Sequence, residues 1–94
     1  MKLILAPMAT LTHQALRKTV ANFGGVDEYY TEMINASSLL HGGQFEKYYI
    51  LNDVEPEKTV WQLTGDEAKP LSEAAAVVKD CGGIGIDINM GCAA

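Results

Sequence analysis

The sequence predicts an α/β fold built on a parallel sheet, and three observations carry that prediction. Four short runs, residues 2–6, 26–31, 59–63 and 84–88, are rich in aliphatic, β-branched or aromatic side chains. Between them lie segments that read as helices and close on paired glycines, Gly24-Gly25, Gly42-Gly43 and Gly82-Gly83. The order is thus βα three times over, with an irregular insert, and then a fourth strand; strands joined through helices run parallel, with right-handed crossovers. An open doubly wound sheet and a TIM (β/α)8 barrel both begin this way, and in either fold function gathers at the C-terminal ends of the strands.

Residues 2–6 form a fully apolar stretch closed by Pro7, as suits a buried parallel strand. Thr10 or Thr12 stands where the following helix wants an N-cap, and Leu16, Val20 and Phe23 at i, i+4 and i+7 give that helix one apolar face. The second strand, 26–31, is led by Tyr29 and Tyr30, and 34–40 is expected to be a short helix with Thr31 or Asn35 near its start. The insert, 44–58, is the least regular part: 47–51 is expected to be extended and 52–57 a turn. Residues 59–63 make the third strand. After the Thr64-Gly65-Asp66 loop, Pro70 fits the first turn of a helix whose stripe is Leu71, Ala74, Ala75 and Val78. In the fourth strand Ile84, Ile86 and Ile88 alternate with Gly85 and Asp87.

Composition narrows the function classes. With 48% hydrophobic and 20% charged residues the chain is globular, and a net charge of -5 supplies no basic footprint for nucleic acid. Two cysteines, Cys81 and Cys92, are too few for a disulfide framework or a tetrahedral zinc site. His13 and His41 lack the paired ligands a metal needs, so no metal is expected. The opening apolar run stops at Pro7, short of the roughly 7–15 residues of a secretory core, and no run nears the roughly 20 that span a bilayer. A reduced, cytoplasmic setting is expected, with no membrane partner. The glycine-rich tail, CGGIGIDINMG, lacks the GxGxxG of a dinucleotide site.

Each strand exit carries polar or unusual residues: Pro7 and Met8, Glu32 and Met33, Gln62 and Gly65, and Asn89 to Cys92. The motifs spanning these exits, LAPMA, FGGVDEYYTEMI, QLTG and GIDINMGC, resemble those of the tRNA-dihydrouridine synthases. The resemblance runs over essentially the whole chain, and the combination in order is more specific than any one motif. It implies an N-terminal flavin-binding TIM barrel, followed in that family by a helical tRNA-binding domain. It also implies reduction of particular uridines in tRNA with FMN as cofactor and NADPH as reductant. On that reading residues 1–94 are the N-terminal half of the barrel domain, about four βα units. A whole barrel takes about 250 residues and eight strands, so the later strands and the helical domain are expected to lie outside this chain.

Carried across residue by residue, the resemblance implies that Ala6, Pro7 and Met8 line the isoalloxazine ring and that Gln62 hydrogen-bonds to it. Asn89 would sit near the flavin and the target base, and Cys92 would be the catalytic acid. The family pattern runs from Gly-Cys into Pro, where this chain has Ala93. The residues alone leave plainer roles open: Cys92 a small buried hydrophobe, Gln62 a solvated strand end, Asn89 a turn cap and Pro7-Met8 a strand stop with a gap-filler. Glu32 is left between a polar barrel-end contact and a partner for a backbone amide. The rival functions are another FMN-dependent barrel oxidoreductase, of dihydroorotate or ene reductase type, and a non-catalytic half-barrel that associates with itself or a partner.

Overall fold

The computed structural model describes residues 1–9 and 11–90. In chain order its elements are β1 (Ile4–Leu5), α1 (Gln14–Ala21), β2 (Glu28–Tyr30), β3 (Ile34–Asn35), α2 (Ala36–Leu40), α3 (Gln44–Tyr49), β4 (Thr59–Thr64), α4 (Ala68–Lys79) and β5 (Gly85–Ile88). Every strand pairing is parallel: β1 with β2, β2 and β3 with β4, and β4 with β5.

β2 and β3 lie one after the other along the same edge of β4, because β5 occupies the opposite edge from Val60 to Leu63. They act as one broken strand. From Tyr30 to Ile34 is four residues, while their partners Val60 and Leu63 are three apart, so one extra residue is accommodated in a bulge. The sheet therefore runs in sequence order, first strand at one edge and last at the other. A doubly wound sheet would place its first strand centrally and reverse direction across it; consecutive parallel neighbours are how a (β/α)8 barrel grows. The predicted α/β class and barrel-type progression are both present.

The core lies between β3, β4 and the helices α2 and α4. Ile34, Ala36, Leu39, Trp61, Leu63, Ala74 and Val78 make one buried cluster, with Leu71 and Ala75 packed against it, so the stripe predicted for α4 is the face that docks. Trp61 anchors it, its Nε1 donating to the Gly82 carbonyl at 2.8 Å. Gly83 follows at φ +98°, and a Cβ there would stand 2.6 Å from Trp61 Nε1, so both the backbone and the space call for glycine.

Four expectations need correction. Thr12 does not cap α1: the N-cap is His13, with no side-chain bond, because the Thr12 hydroxyl is engaged at the β1 exit, and Thr10 lies outside the described residues. The inward side of α1 carries Arg17, fully buried, while Phe23 is 88% exposed. The helix faces the irregular segment before β4 rather than an apolar layer. The guanidinium answers its unpaired acceptors, reaching the Leu51 carbonyl at 2.8 Å and Asn52 Oδ1 at 3.2 Å. Residues 34–40 divide: Ile34 and Asn35 extend the sheet, then the Asn35 side chain accepts the Ser38 N–H at 2.9 Å and starts α2. Residues 47–51 are not extended, since α3 takes them up to Tyr49 and seats Tyr49 and Ile50 against the core, packing that overrides the β preference of tyrosine and isoleucine.

Candidate functional site

Strand alternation sends Trp61 and Leu63 toward the helices and Gln62 to the opposite face, as the sequence predicts. Parallel register sets Asp87 of β5 directly beside Gln62. Asn89, two residues beyond Asp87, follows on the same side, with its backbone N–H prolonging the ladder to the Leu63 carbonyl at 2.9 Å. The three side chains join: Gln62 Nε2 donates to Asp87 Oδ2 at 3.0 Å, and Asn89 Nδ2 donates to Gln62 Oε1 at 3.2 Å.

A second group forms at the first two exits. The Met8 N–H donates to the Thr12 hydroxyl at 3.1 Å, and that hydroxyl stands 3.3 Å from Glu32 Oε2 and 3.2 Å from the Met8 carbonyl. The Met8 carbonyl already accepts from the N–H groups of Leu11 and Thr12, so the single hydroxyl proton is better spent on Glu32. Glu32 is 1% exposed and its Oε1 has no hydrogen-bond partner among the described residues. Burial pushes its carboxyl above the ordinary range, and its own backbone N–H, the nearby Arg17 charge and the Thr12 hydroxyl only partly oppose that.

The bulge ties the two groups together. Thr31 Oγ1 accepts the Gln62 backbone N–H at 2.9 Å and donates to the Glu32 carbonyl at 3.1 Å, filling the ladder position that the extra residue vacates. One hydrogen-bonded path therefore runs from Met8 through Thr12, Glu32, Thr31 and Gln62 to Asp87 and Asn89. It crosses the C-terminal ends of all four sheet positions. Beside its far end, a cleft of about 690 Å³ opens at the ends of β3, β4 and β5, lined in part by Met33, Asn35, Asp66 and Asn89.

The structure thus brings Met8, Gln62 and Asn89 onto one connected set of bonds. Pro7 is half-buried, Ala6 exposed and Met8 41% exposed; none of the three lines the cleft. Cys92 lies outside the described residues. Four members of the path had no site role from sequence: Glu32, singled out at its exit but left without one, and Asp87, Thr12 and Thr31. Asp87 had a usable signal, since it stands two residues before Asn89 in an alternating strand and shares its face. Thr12 and Thr31 had none, because hydroxyls at strand exits are ordinary turn residues. Among the described residues no cluster of His, Cys, Asp and Glu could hold a metal, and no helix is long and apolar enough to cross a membrane.

A family model described as dihydrouridine synthase matches residues 4–94. Over 97% of its length the chain is 38% identical to a probable tRNA-dihydrouridine synthase of Rhodobacter capsulatus, covering 28% of that protein. It is 36% identical to a tRNA-dihydrouridine(20/20a) synthase of Synechocystis, over 96% of the chain and 26% of the relative. A tRNA-dihydrouridine(16) synthase of Azotobacter vinelandii is 34% identical over the whole chain and 32% of its own length. The chain therefore spans about a quarter to a third of these curated relatives. No solved structure matches it significantly.

Proposed function

The chain belongs to the dihydrouridine synthase family, and from that premise we propose that it serves in reducing the C5=C6 bond of uridine in tRNA, as the flavin-side portion of a synthase barrel. The observation that carries the proposal is the continuous path linking Met8, Gln62 and Asn89 across four strand exits, where a barrel enzyme builds its site.

The residues present fit a flavin. Gln62 uses one amide hydrogen on Asp87, and its second has no partner among the described residues, leaving a donor for a ring carbonyl. Pro7 and the partly exposed Met8 offer apolar surface to a flat ring. FMN held there would supply the hydride that C6 of the base takes up, NADPH being its reductant. This chain's own part is to hold and to protonate. Gln62 and, at its side, Asn89 orient the ring and the base, and Cys92 delivers its thiol proton to C5. An unperturbed thiol has a pKa of about 8.5, so near pH 7 it still carries the proton it must give. The target base has to leave its stack to reach the site. The substrate places the reaction in the cytoplasm, and the remaining barrel strands and a helical tRNA-binding domain would complete the protein. Relatives of similar identity are named for positions 20/20a and 16, so identity over this segment does not choose the uridine.

In the full-length protein, Cys92→Ala is expected to lower dihydrouridine formation in tRNA by about 100-fold or more while FMN absorbance stays bound to the protein. Wild-type turnover by that variant would remove Cys92 from the chemistry. Loss of a small-molecule ene or dihydroorotate activity, with tRNA untouched by either protein, would move the chain to the other flavin oxidoreductases.

A further inference from the structure

A glutamine amide is chemically two-faced: turning it by 180° about its last bond exchanges a carbonyl acceptor for an NH₂ donor, with almost no change of shape. In the sheet Gln62 is 5% exposed, so bulk water does little to select between the two orientations. Asn89, itself an amide, carries both kinds of group and imposes a polarity only through whatever holds it in turn. Asp87 imposes one by its own chemistry. An ionised carboxylate offers only acceptors, and it sits beside Gln62 in strand register with Oδ2 3.0 Å from Nε2. The reversed amide would set two oxygens against each other at that distance. With Nε2 held on Asp87, Oε1 is turned to Asn89 at 3.2 Å, and the remaining Gln62 hydrogen is the group left for a ligand.

We propose that Asp87 is a positioning residue that fixes the amide polarity of Gln62, so that the site presents an N–H donor, and not a carbonyl, to a planar heterocycle bearing a carbonyl acceptor. That the heterocycle is a flavin rests on the function proposed above; the polarity of the amide does not.

The full-length protein, labelled with ¹⁵N-glutamine, tests both parts. Gln62→Ala identifies the Gln62 side-chain signal by its disappearance. In wild type that signal is expected to show two well-separated protons, one shifted by the carboxylate, and in Asp87→Asn the separation collapses. FMN affinity, followed by flavin fluorescence, is expected to fall two- to tenfold in Asp87→Asn. Twofold is the least expected when both orientations become equally populated, and more follows if the introduced amide favours the wrong one. The same substitution made in Gln62→Ala is expected to change FMN affinity no further, a non-additivity that general destabilisation would not produce. Unchanged Gln62 signals in Asp87→Asn overturn the proposal, and so does an equal loss of FMN affinity in both backgrounds. If the wild-type protein holds no FMN, the functional reading fails, and the amide signals alone still decide the role of Asp87.

Discussion

A buried carboxyl needs donors for both oxygens if it is to stay ionised, and among the described residues the only side chain that reaches Glu32 with a hydrogen bond is Thr12, on Oε2, while Oε1 has no partner from another residue. Desolvation is the dominant influence on it and raises its pKa; its own backbone N–H, then Arg17 and Thr12, pull the other way but less strongly. The sign of the consequence follows from linkage. A carboxyl whose folded value lies above its unfolded value, here 4.5, contributes stability that is fully present below pH 4.5 and lost as pH rises through the folded value. Glu32→Gln carries no such pH dependence and keeps an oxygen for Thr12. At pH 7 the variant of the full-length protein is therefore expected to be more stable by about 1 kcal/mol, with the difference shrinking toward pH 4.5 and below. Thermal unfolding between pH 4 and 8 measures this. A variant less stable at every pH would mean that the charge is retained and matched to Arg17. Glu32 was visible in the sequence as an unusual residue at an exit, yet its partner was not. Nothing in Thr12, twenty residues earlier, says that its hydroxyl turns inward instead of capping the helix beside it.

The broken strand β2–β3 shows how an element is repaired by one side chain. An extra residue in a ladder strands a backbone N–H, and here the N–H of Gln62 is rescued by Thr31 Oγ1 at 2.9 Å. Thr31→Val keeps the shape and deletes that acceptor, leaving a buried donor unpaired, so it is expected to destabilise the protein by about 1–3 kcal/mol. Thr31→Ser restores the hydroxyl and is expected to recover most of the loss; urea unfolding of the two variants makes the comparison. Equal stability of Thr31→Val and wild type would mean that water or a relaxed backbone serves Gln62 instead. The bulge also explains which elements could be read from sequence. Residues 59–63 and the stripe of α4 were legible because alternation and helical period coincide with burial there. Ile34–Asn35 was not, since two residues of strand running straight into a helix carry no period of their own. α3 was masked by Tyr48, Tyr49 and Ile50, whose strand preference yields to packing against the core. In α1 the apolar spacing pointed to Leu16, Val20 and Phe23, but the irregular neighbour required a guanidinium. A pattern of hydrophobicity cannot announce where a polar partner will be needed.

For the whole molecule, the fold class was legible because βα alternation restricts topology so strongly, whereas the choice between barrel and doubly wound order needed the strand neighbours. That order leaves β1 and β5 at the two edges, and among the described residues neither has a second partner. Both edges are apolar. Leu3 and Ile4 are 50% and 48% exposed, and Ile84, Ile86 and Ile88 are 53%, 42% and 43% exposed. Ile86 and Ile88 stand in register with Trp61 and Leu63, so they continue the helix-covered face of the sheet, and among the described residues no helix lies over them. Unpaired backbone and uncovered apolar side chains on the same strand are the combination that templates association. The 94-residue polypeptide prepared by itself is therefore expected to form oligomers at about 100 μM, seen by light scattering as a mass that grows with concentration. Ile86→Lys places a charge on the β5 edge, the device by which natural edges resist pairing, and is expected to shift the population back toward monomer. If the unmodified polypeptide stays monomeric and folded throughout, the sheet edges are satisfied by some rearrangement of the chain itself. If Ile86→Lys associates as strongly as the parent, the contact runs through β1, and a charge in place of Ile4 is the variant that should then disperse it.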